Sequence, residues 1–370
     1  MPVVALWRAR RSRTLDEYPA DAPASAPLVS VVIPARNEAH NIERCVRSVC
    51  ASRYRRLEII VVDDHSTDDT GAIVRAIAAQ DSRVRVIVPP PLPDDWFGKQ
   101  WACHTGASNA HGDVLAFFDA DTYQTPDLLP RAANALHDRD ADLLTVLGDQ
   151  EMVTFWERLV QPQVLAILLM RYGGTEVINE SPRVVDKIAN GQCMIFRRAA
   201  YEAMGGHVEV KHKVAEDLAL AQRFFVAGRR VVAIGGQSQL SVRMYTSLRT
   251  LIAGWGKNLY AGGVDAMPFG VAGRIAFPLL LLAPALMGVV PPLLLALSLA
   301  GVFGSAVLAW ASIVCAATLL WWIVMNVVMK VPVWYAFLYP LGAAILLYIT
   351  LGAIARRNRV RWKEREYVAG

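Results

Sequence analysis

One long stretch of this sequence is nearly without charge. Between Ile275 and Ala355 the only charged residue is Lys330, and no acidic residue occurs there. So apolar a segment cannot form the surface of a soluble domain and reads as membrane helices, while its lack of acids argues against a proton relay or ion pathway. Cysteine is sparse. Cys45, Cys50, Cys103, Cys193 and Cys315 are the whole set, with no C-x-x-C pair, which excludes a metal finger. The odd count argues against a disulfide framework and for free thiols in a reducing compartment. Neither G-x-x-x-x-G-K nor G-x-G-x-x-G occurs, so the phosphate cradles of P-loop and dinucleotide-binding proteins are missing. The net charge of +5 is not gathered into a basic patch with interleaved aromatics in the soluble part, which excludes nucleic acid as a partner.

What is present begins with Val114-Leu115-Ala116-Phe117-Phe118-Asp119-Ala120-Asp121. The apolar run reads as a strand buried on both faces, with two carboxylates at its end. In an open α/β sheet ligands bind at the carboxyl ends of the strands. Asp119 and Asp121 are therefore candidates to grip a divalent metal shared with a diphosphate; the alternative is a polar strand end running into a turn. Leu28 to Ile33 reads as a strand stopped by Pro34. Ile42, Cys45, Val46 and Val49 mark a helical face. Leu57 to Val62 is a second buried strand, ending in Asp63-Asp64-His65-Ser66, with a helix expected from a Ser66 or Thr67 cap. Val84 to Val88 and 113–118 are further strands. Alternating strands and helices with short links predict a parallel βαβ sheet, which puts Asp63-Asp64 and Asp119-Ala120-Asp121 on one rim. Lys99 lies between them in sequence and would neutralise a phosphate as a point charge.

Val32-Ile33-Pro34-Ala35-Arg36-Asn37-Glu38, Val61-Val62-Asp63-Asp64-His65-Ser66-Thr67-Asp68 and Phe118-Asp119-Ala120-Asp121 together resemble the opening signatures of family 2 glycosyltransferases. The resemblance covers nearly all of residues 28–125. It implies an α/β GT-A fold with a mixed, mostly parallel sheet, a nucleotide-sugar donor (a UDP-sugar foremost) and Mg2+ or Mn2+. By position, Pro34, Arg36 and Glu38 would line the nucleoside pocket and Asp63 or Asp64 would contact the base. Asp121 would bind metal, with Asp119 near the ribose and diphosphate. His65 departs from the Gly or Asn common there. Asn190 to Arg198 resembles the acceptor-side segment, and Glu216-Asp217 resembles the family's E-D signature, whose Asp is the base. An inverting transfer needs such a carboxylate to take the acceptor's proton. Arg243-Met244-Tyr245 and Gly254-Trp255-Gly256-Lys257-Asn258 resemble a narrower group, the membrane-anchored enzymes that glycosylate hopanoid or carotenoid lipids. This would bring Trp101, Arg243, Trp255 and Lys257 near the diphosphate or the acceptor's way in. The Q-x-x-R-W signature of processive synthases is absent.

The expected organisation is a basic lead-in and linker (1–27), a catalytic domain (28–265), a transmembrane region (266–355) and a basic cytoplasmic tail (356–370). The spans are expected at 275–298, 302–328 and 333–355. Pro284, Pro291 and Pro292 leave the first of these bent, re-entrant or split into two short spans. Arg356 to Arg365 holds six basic residues against one acidic, which favours the cytoplasmic face of an inner membrane and an even number of crossings. Arg361-Trp362-Lys363 and Tyr367 resemble the tail of the lipid-glycosylating group. Met1 to Trp7 followed by Arg8, Arg10, Arg11 and Arg13 reads either as a short basic lead-in or as the cytoplasmic end of a helix that starts upstream. The function expected is transfer of a sugar to a membrane lipid. The alternatives are a polyprenyl-phosphate sugar transferase and a non-catalytic scaffold with the same fold.

Overall fold

The computed structural model describes residues 7–8, 10–22, 26–265, 267, 270–356, 359–362 and 365–368. The apolar start before Trp7, and Lys363 of the tail, lie outside them, as do the side chains of Arg361, Trp362 and Tyr367. In chain order the elements are β1 (Val29–Ala35), α1 (Ile42–Cys50), β2 (Leu57–Asp63), α2 (Thr70–Ala78), β3 (Val84–Ile87), α3 (Gly98–Ser108), β4 (Val114–Phe118), β5 (Thr122–Gln124), α4 (Leu128–Asp138), β6 (Leu143–Leu147) and β7 (Asp149–Gln150). There follow α5 (Phe155–Tyr172), α6 (Thr175–Glu180), β8 (Cys193–Arg197), α7 (Arg198–Ala203), α8 (Glu216–Val226), β9 (Val231–Gly235), β10 (Leu240–Val242), α9 (Leu248–Asp265), α10 (Gly270–Leu299), α11 (Ser305–Val328), α12 (Tyr339–Arg356), β11 (Arg359–Trp362) and β12 (Arg365–Val368).

The chain divides into two compact units: residues 10–151, 174–244 and 359–370 form one, and 1–9, 152–173 and 245–358 the other. The first is built on a seven-stranded sheet in the order β3-β2-β1-β4-β8-β6-β9. β8 is antiparallel to both of its neighbours, and the remaining pairs are parallel. Both faces are covered, which explains why the strands read as unbroken apolar runs. Val31, Ile33, Ile59 and Val61 pack with Ile42, Cys45, Val46 and Val49 of α1. Their neighbours Val32, Ile60, Val62 and Phe117 pack the other way, with Ala102 and Cys103 of α3 and Phe224 of α8. Each such fully buried Val or Ile contributes roughly 1.5–3 kcal/mol.

Three local expectations are corrected. Pro34 does not stop β1, which runs on through Ala35 in register with Asp63. Pairing to β4 ends at Val32, so Pro34 sits where one edge of the strand is already open, a position where a missing N–H is tolerated. The second helix begins at Thr70 instead of Ser66 or Thr67, because residues 66–68 are tied to the loop after β1. Asn37 N donates to Ser66 Oγ, Thr67 N to Asn37 Oδ1, and Ala39 N to an Asp68 carboxylate oxygen. Residues 16–22 are not a free linker. Leu15 and Tyr18 are buried, and the Arg131 guanidinium holds the carbonyls of Asp16 and Tyr18.

The second unit is helical. Three helices among the described residues are long and apolar enough to cross a membrane: Gly270–Leu299, Ser305–Val328 and Val333–Arg356. The first is one continuous helix through Pro278, Pro284, Pro291 and Pro292, not split into two. Packed apolar helices tolerate such residues when neighbours and local adjustments re-satisfy the freed carbonyls. The division between units falls elsewhere than the expected 265/266 boundary, because α5 and α9 belong with the apolar helices. Ala166 of α5 lies in one cluster with Trp322, Met325 and Tyr339.

Candidate active site

β1, β2 and β4 are mutually parallel, so the loops that leave their carboxyl ends share one rim. Antiparallel β8 starts at that rim, Phe118 pairing with Cys193, and so delivers Asn190-Gly191-Gln192 there. The first turns of α3 and α8 supply Lys99, Glu216 and Asp217.

Lys99 is the hub. Its Nζ lies 2.8 Å from Asp119 Oδ1 and 2.7 Å from Glu216 Oε1. Burial alone would pull the Lys99 ammonium down, but Asp119 and Glu216 override it and hold it well above the ordinary lysine value. Glu216 is lowered: burial opposes its charge, and Lys99 more than offsets this. Asp217 beside it accepts hydrogen bonds from Gly191 N and Leu218 N, each at 2.8 Å. Its carboxyl is pushed up to about 6, by burial first and then by the Glu216 charge. Gly191 is required by close approach. A Cβ there would sit 2.9 Å from Lys99 Nζ and 3.4 Å from carboxylate oxygens of Glu216 and Asp217.

Asp121 is different. Its Oδ1 is buried without a hydrogen-bond partner. Burial, then the charges of Asp119 and Glu38, push its carboxyl up to about 8. A buried carboxylate oxygen with no partner is costly unless a cation completes it. Among the described residues no three His, Cys, Asp or Glu converge as a metal cage. A small hard cation such as Mg2+ needs only one or two carboxylates when phosphate and water supply the rest. The donor set at Asp121 and Asp119 fits that description.

The remaining candidates sort by partner. Asp63 turns into its own loop: Oδ1 accepts from Ser66 N at 3.1 Å, and Oδ2 lies so close to Gly71 that a Cβ there would be 2.4 Å away. Asp64 is held at both ends. Arg36 Nη1 donates to its carbonyl at 2.6 Å, and its carboxylate accepts from Arg365 of β12 at 2.6 and 3.4 Å. His65 takes a φ of 54°, the left-handed turn that Gly or Asn adopts readily, so the larger side chain leaves the turn in place. Pro34 faces Val62 in the sheet, and Glu38 accepts from Asn41 Nδ2 while its N–H donates to Thr70 Oγ1. Arg243 acts on Glu151, whose carboxylate is bound by Arg44 and Ser241. Trp101 donates to Pro90 O and packs on Trp96 and His104. Trp255 and Lys257 belong to α9 in the helical unit, where Trp255 meets Tyr245 edge to face.

The structure thus brings Lys99, Asp119, Glu216, Asp217 and Gly191 together, with Asp121 and Glu38 in electrostatic reach. Two participants were not foreseen. Gly191 stood within a recognised segment but without a role. Arg365 lies 301 residues from its partner, and no local pattern announces such a contact.

A family model described as Glycosyl transferase family 2 matches residues 30–205. The 4,4'-diaponeurosporenoate glycosyltransferase of Staphylococcus haemolyticus is 28% identical over 243 residues, 65% of this chain and 63% of that protein. That of Staphylococcus aureus is 27% identical over 245 residues, with the same coverage. The chain therefore spans 63% of the length of these curated relatives. A solved mannosyltransferase from Pyrobaculum calidifontis, in complex with GDP-Man and Mn2+, superposes with a TM-score of 0.55 at 20% identity, covering 96% of this chain and 94% of that one. Residues 30–205 are thus similar to the family 2 glycosyltransferases, on a GT-A fold joined to apolar helices long enough to cross a membrane.

Proposed function

We propose that the chain transfers a sugar, with inversion, from a nucleotide-diphosphate donor to the hydroxyl or carboxyl of an apolar lipid at the cytoplasmic face of a membrane. The observation that carries this reading is the Asp119–Lys99–Glu216 ion chain, with Asp217 beside it and the orphaned Asp121 oxygen on the same rim. The relatives named for 4,4'-diaponeurosporenoate support an apolar, carotenoid- or hopanoid-like acceptor.

In this scheme the acceptor oxygen attacks the anomeric carbon. The new C–O bond forms as the sugar–phosphate bond breaks, and the nucleoside diphosphate leaves with the electron pair. Asp217 takes the acceptor proton. Gly191 N and Leu218 N hold Asp217 in place, and its pKa of about 6 leaves it ionised at neutral pH yet basic enough to act. Lys99 fixes Asp119 and Glu216 and puts positive charge where the diphosphate charge develops. A Mg2+ or Mn2+ ion held by Asp121 and Asp119 would stabilise the leaving diphosphate. Arg36, Pro34, Glu38 and the Asp63-Asp64 pair form the nucleoside side, and Asp64 is the better base contact because Asp63 is spent on its own turn. By the resemblance, Arg243 and Trp255 would each lie near the diphosphate or the acceptor's way in.

The test uses the purified full chain with Mg2+ or Mn2+, a panel of UDP- and GDP-sugars and total lipid extract. Mass spectrometry should find a lipid heavier by one sugar. Asp121→Asn and Asp217→Asn should lower the rate on the order of 10^2-fold or more while the protein still folds. No lipid product from any donor, or full activity in both variants, overturns the reading.

A further inference from the structure

The carboxylate best placed to read the donor base is already taken. Asp64 is 2% exposed, and Arg365 Nη1 and Nη2 lie 2.6 and 3.4 Å from its two carboxylate oxygens. A forked guanidinium on a carboxylate is among the stronger polar contacts a protein makes. The contact is made by a segment that no part of the transfer chemistry uses. After α12 the chain rejoins the catalytic unit as the antiparallel pair β11–β12, and Arg365 opens β12. On the other side of the same residue, Arg36 grips the Asp64 carbonyl at 2.6 Å and that of His65 at 3.3 Å. The peptide of Asp64 is thus fixed from one side and its carboxylate capped from the other.

We propose that Arg365 is a latch on the nucleoside pocket. Arg365 of the C-terminal hairpin covers the Asp64 carboxylate, and the donor's base must displace it to reach that carboxylate, so tail and nucleotide compete for one residue. This rests on the assignment of Asp64 to the base. The latch weakens donor binding by the fraction of molecules in which it is open, and it couples occupancy of the pocket to the position of the chain that follows the apolar helices. A donor-bound molecule releases the hairpin; a donor-free one retains it.

The experiment measures binding of UDP and of GDP, each with Mg2+, to the purified full chain by calorimetry, with no sugar transfer involved. Arg365→Gln should bind the preferred nucleotide on the order of tenfold more tightly than wild type. A gain in affinity cannot arise from damage to the fold. Unchanged or weaker binding overturns the latch, the weaker result because it makes Arg365 part of the donor site. Adding Asp64→Asn to Arg365→Gln separates the two assumptions. Weaker binding than Arg365→Gln alone supports Asp64 as the base contact, whereas equal binding sinks that assignment and the latch with it. A second readout needs no variant. Saturating nucleotide with Mg2+ should speed tryptic cleavage between residues 356 and 365 of the wild-type chain, and protection by nucleotide instead overturns the proposal.

Discussion

At the scale of single residues, the site depends on charges kept in unusual states by their neighbours. Asp217 is the clearest case. Its carboxyl is pushed from 3.8 up to about 6 by burial and by Glu216. As the proposed base it would work only when ionised, so kcat/KM should fall as pH drops through about 6, and Asp217→Asn should remove that limb along with most of the rate. Because the shift is upward, the native state holds this proton more tightly than the unfolded chain. Stability from this group therefore declines as pH rises from 3.8 to about 6. Gly191 offers a cleaner probe of position. In Gly191→Ala the new methyl meets the flexible tip of Lys99 at 2.9 Å. The tip can move, so stability should change by about 1 kcal/mol or less, while displacement of the ion chain should lower kcat/KM on the order of ten- to a hundredfold. Melting curves measured beside kinetics check both halves. The acidic residues were legible in the sequence because they end apolar runs. Their division of labour was not, since Asp63 and Asp64 are adjacent in the chain and differ only in what surrounds them.

At the scale of elements, the rim opposite the active site holds the strands in register. Glu58 of β2 accepts hydrogen bonds from Ser30 of β1, from His111 N just before β4 and from Arg85 of β3, so one carboxylate ties four neighbouring strands. Burial would raise it, but the Ser30 hydroxyl and His111 hold it down to about 2 from 4.5. With the folded value depressed, its contribution is present above pH 4.5 and is lost as pH falls from 4.5 toward 2. Glu58→Ala should cost about 1 kcal/mol, since it takes the acceptor from the buried Ser30 hydroxyl while the exposed Arg85 and His111 can turn to water. Thermal melting across pH 3 to 7 should show the gap between wild type and variant closing on the acid side. The strands themselves were plain in the sequence, because a sheet covered on both faces needs uninterrupted apolar residues. Ends of elements were less plain. Local signals placed a helix cap at Ser66 or Thr67 and a strand stop at Pro34, and both were overridden by contacts from elsewhere, the loop at Asn37 in one case and the open edge beside β4 in the other.

At the scale of the whole molecule, the tail sets a constraint on topology. The chain leaves the catalytic unit after Met244 and is back in it at Arg359, where Arg365 meets Asp64. The Arg365–Asp64 contact predicts that both ends of this excursion lie on one side of a membrane, with an even number of crossings between them. Three apolar helices are long enough to cross, so the prediction is that one of them does not cross fully. Single cysteines placed at Ser238 and in residues 359–362, on a background without the native thiols, should react with an impermeant maleimide from the same side of sealed vesicles. Labelling from opposite sides would show three full crossings and would remove the Arg365–Asp64 contact from the membrane-bound protein.

The sequence by itself determined the class of sheet, the acidic rim, the apolar helical segment and the family resemblance. Each of these is written in short-range patterns: apolar runs, strand-end carboxylates, a long charge-poor stretch. Tertiary structure alone decided that Lys99 joins Asp119 to Glu216, that Gly191 leaves room for that chain, that α5 and α9 side with the apolar helices, and that Arg365 closes on Asp64. These contacts join residues far apart in the chain, and their energies depend on burial and on neighbouring charge, neither of which exists until the chain has folded.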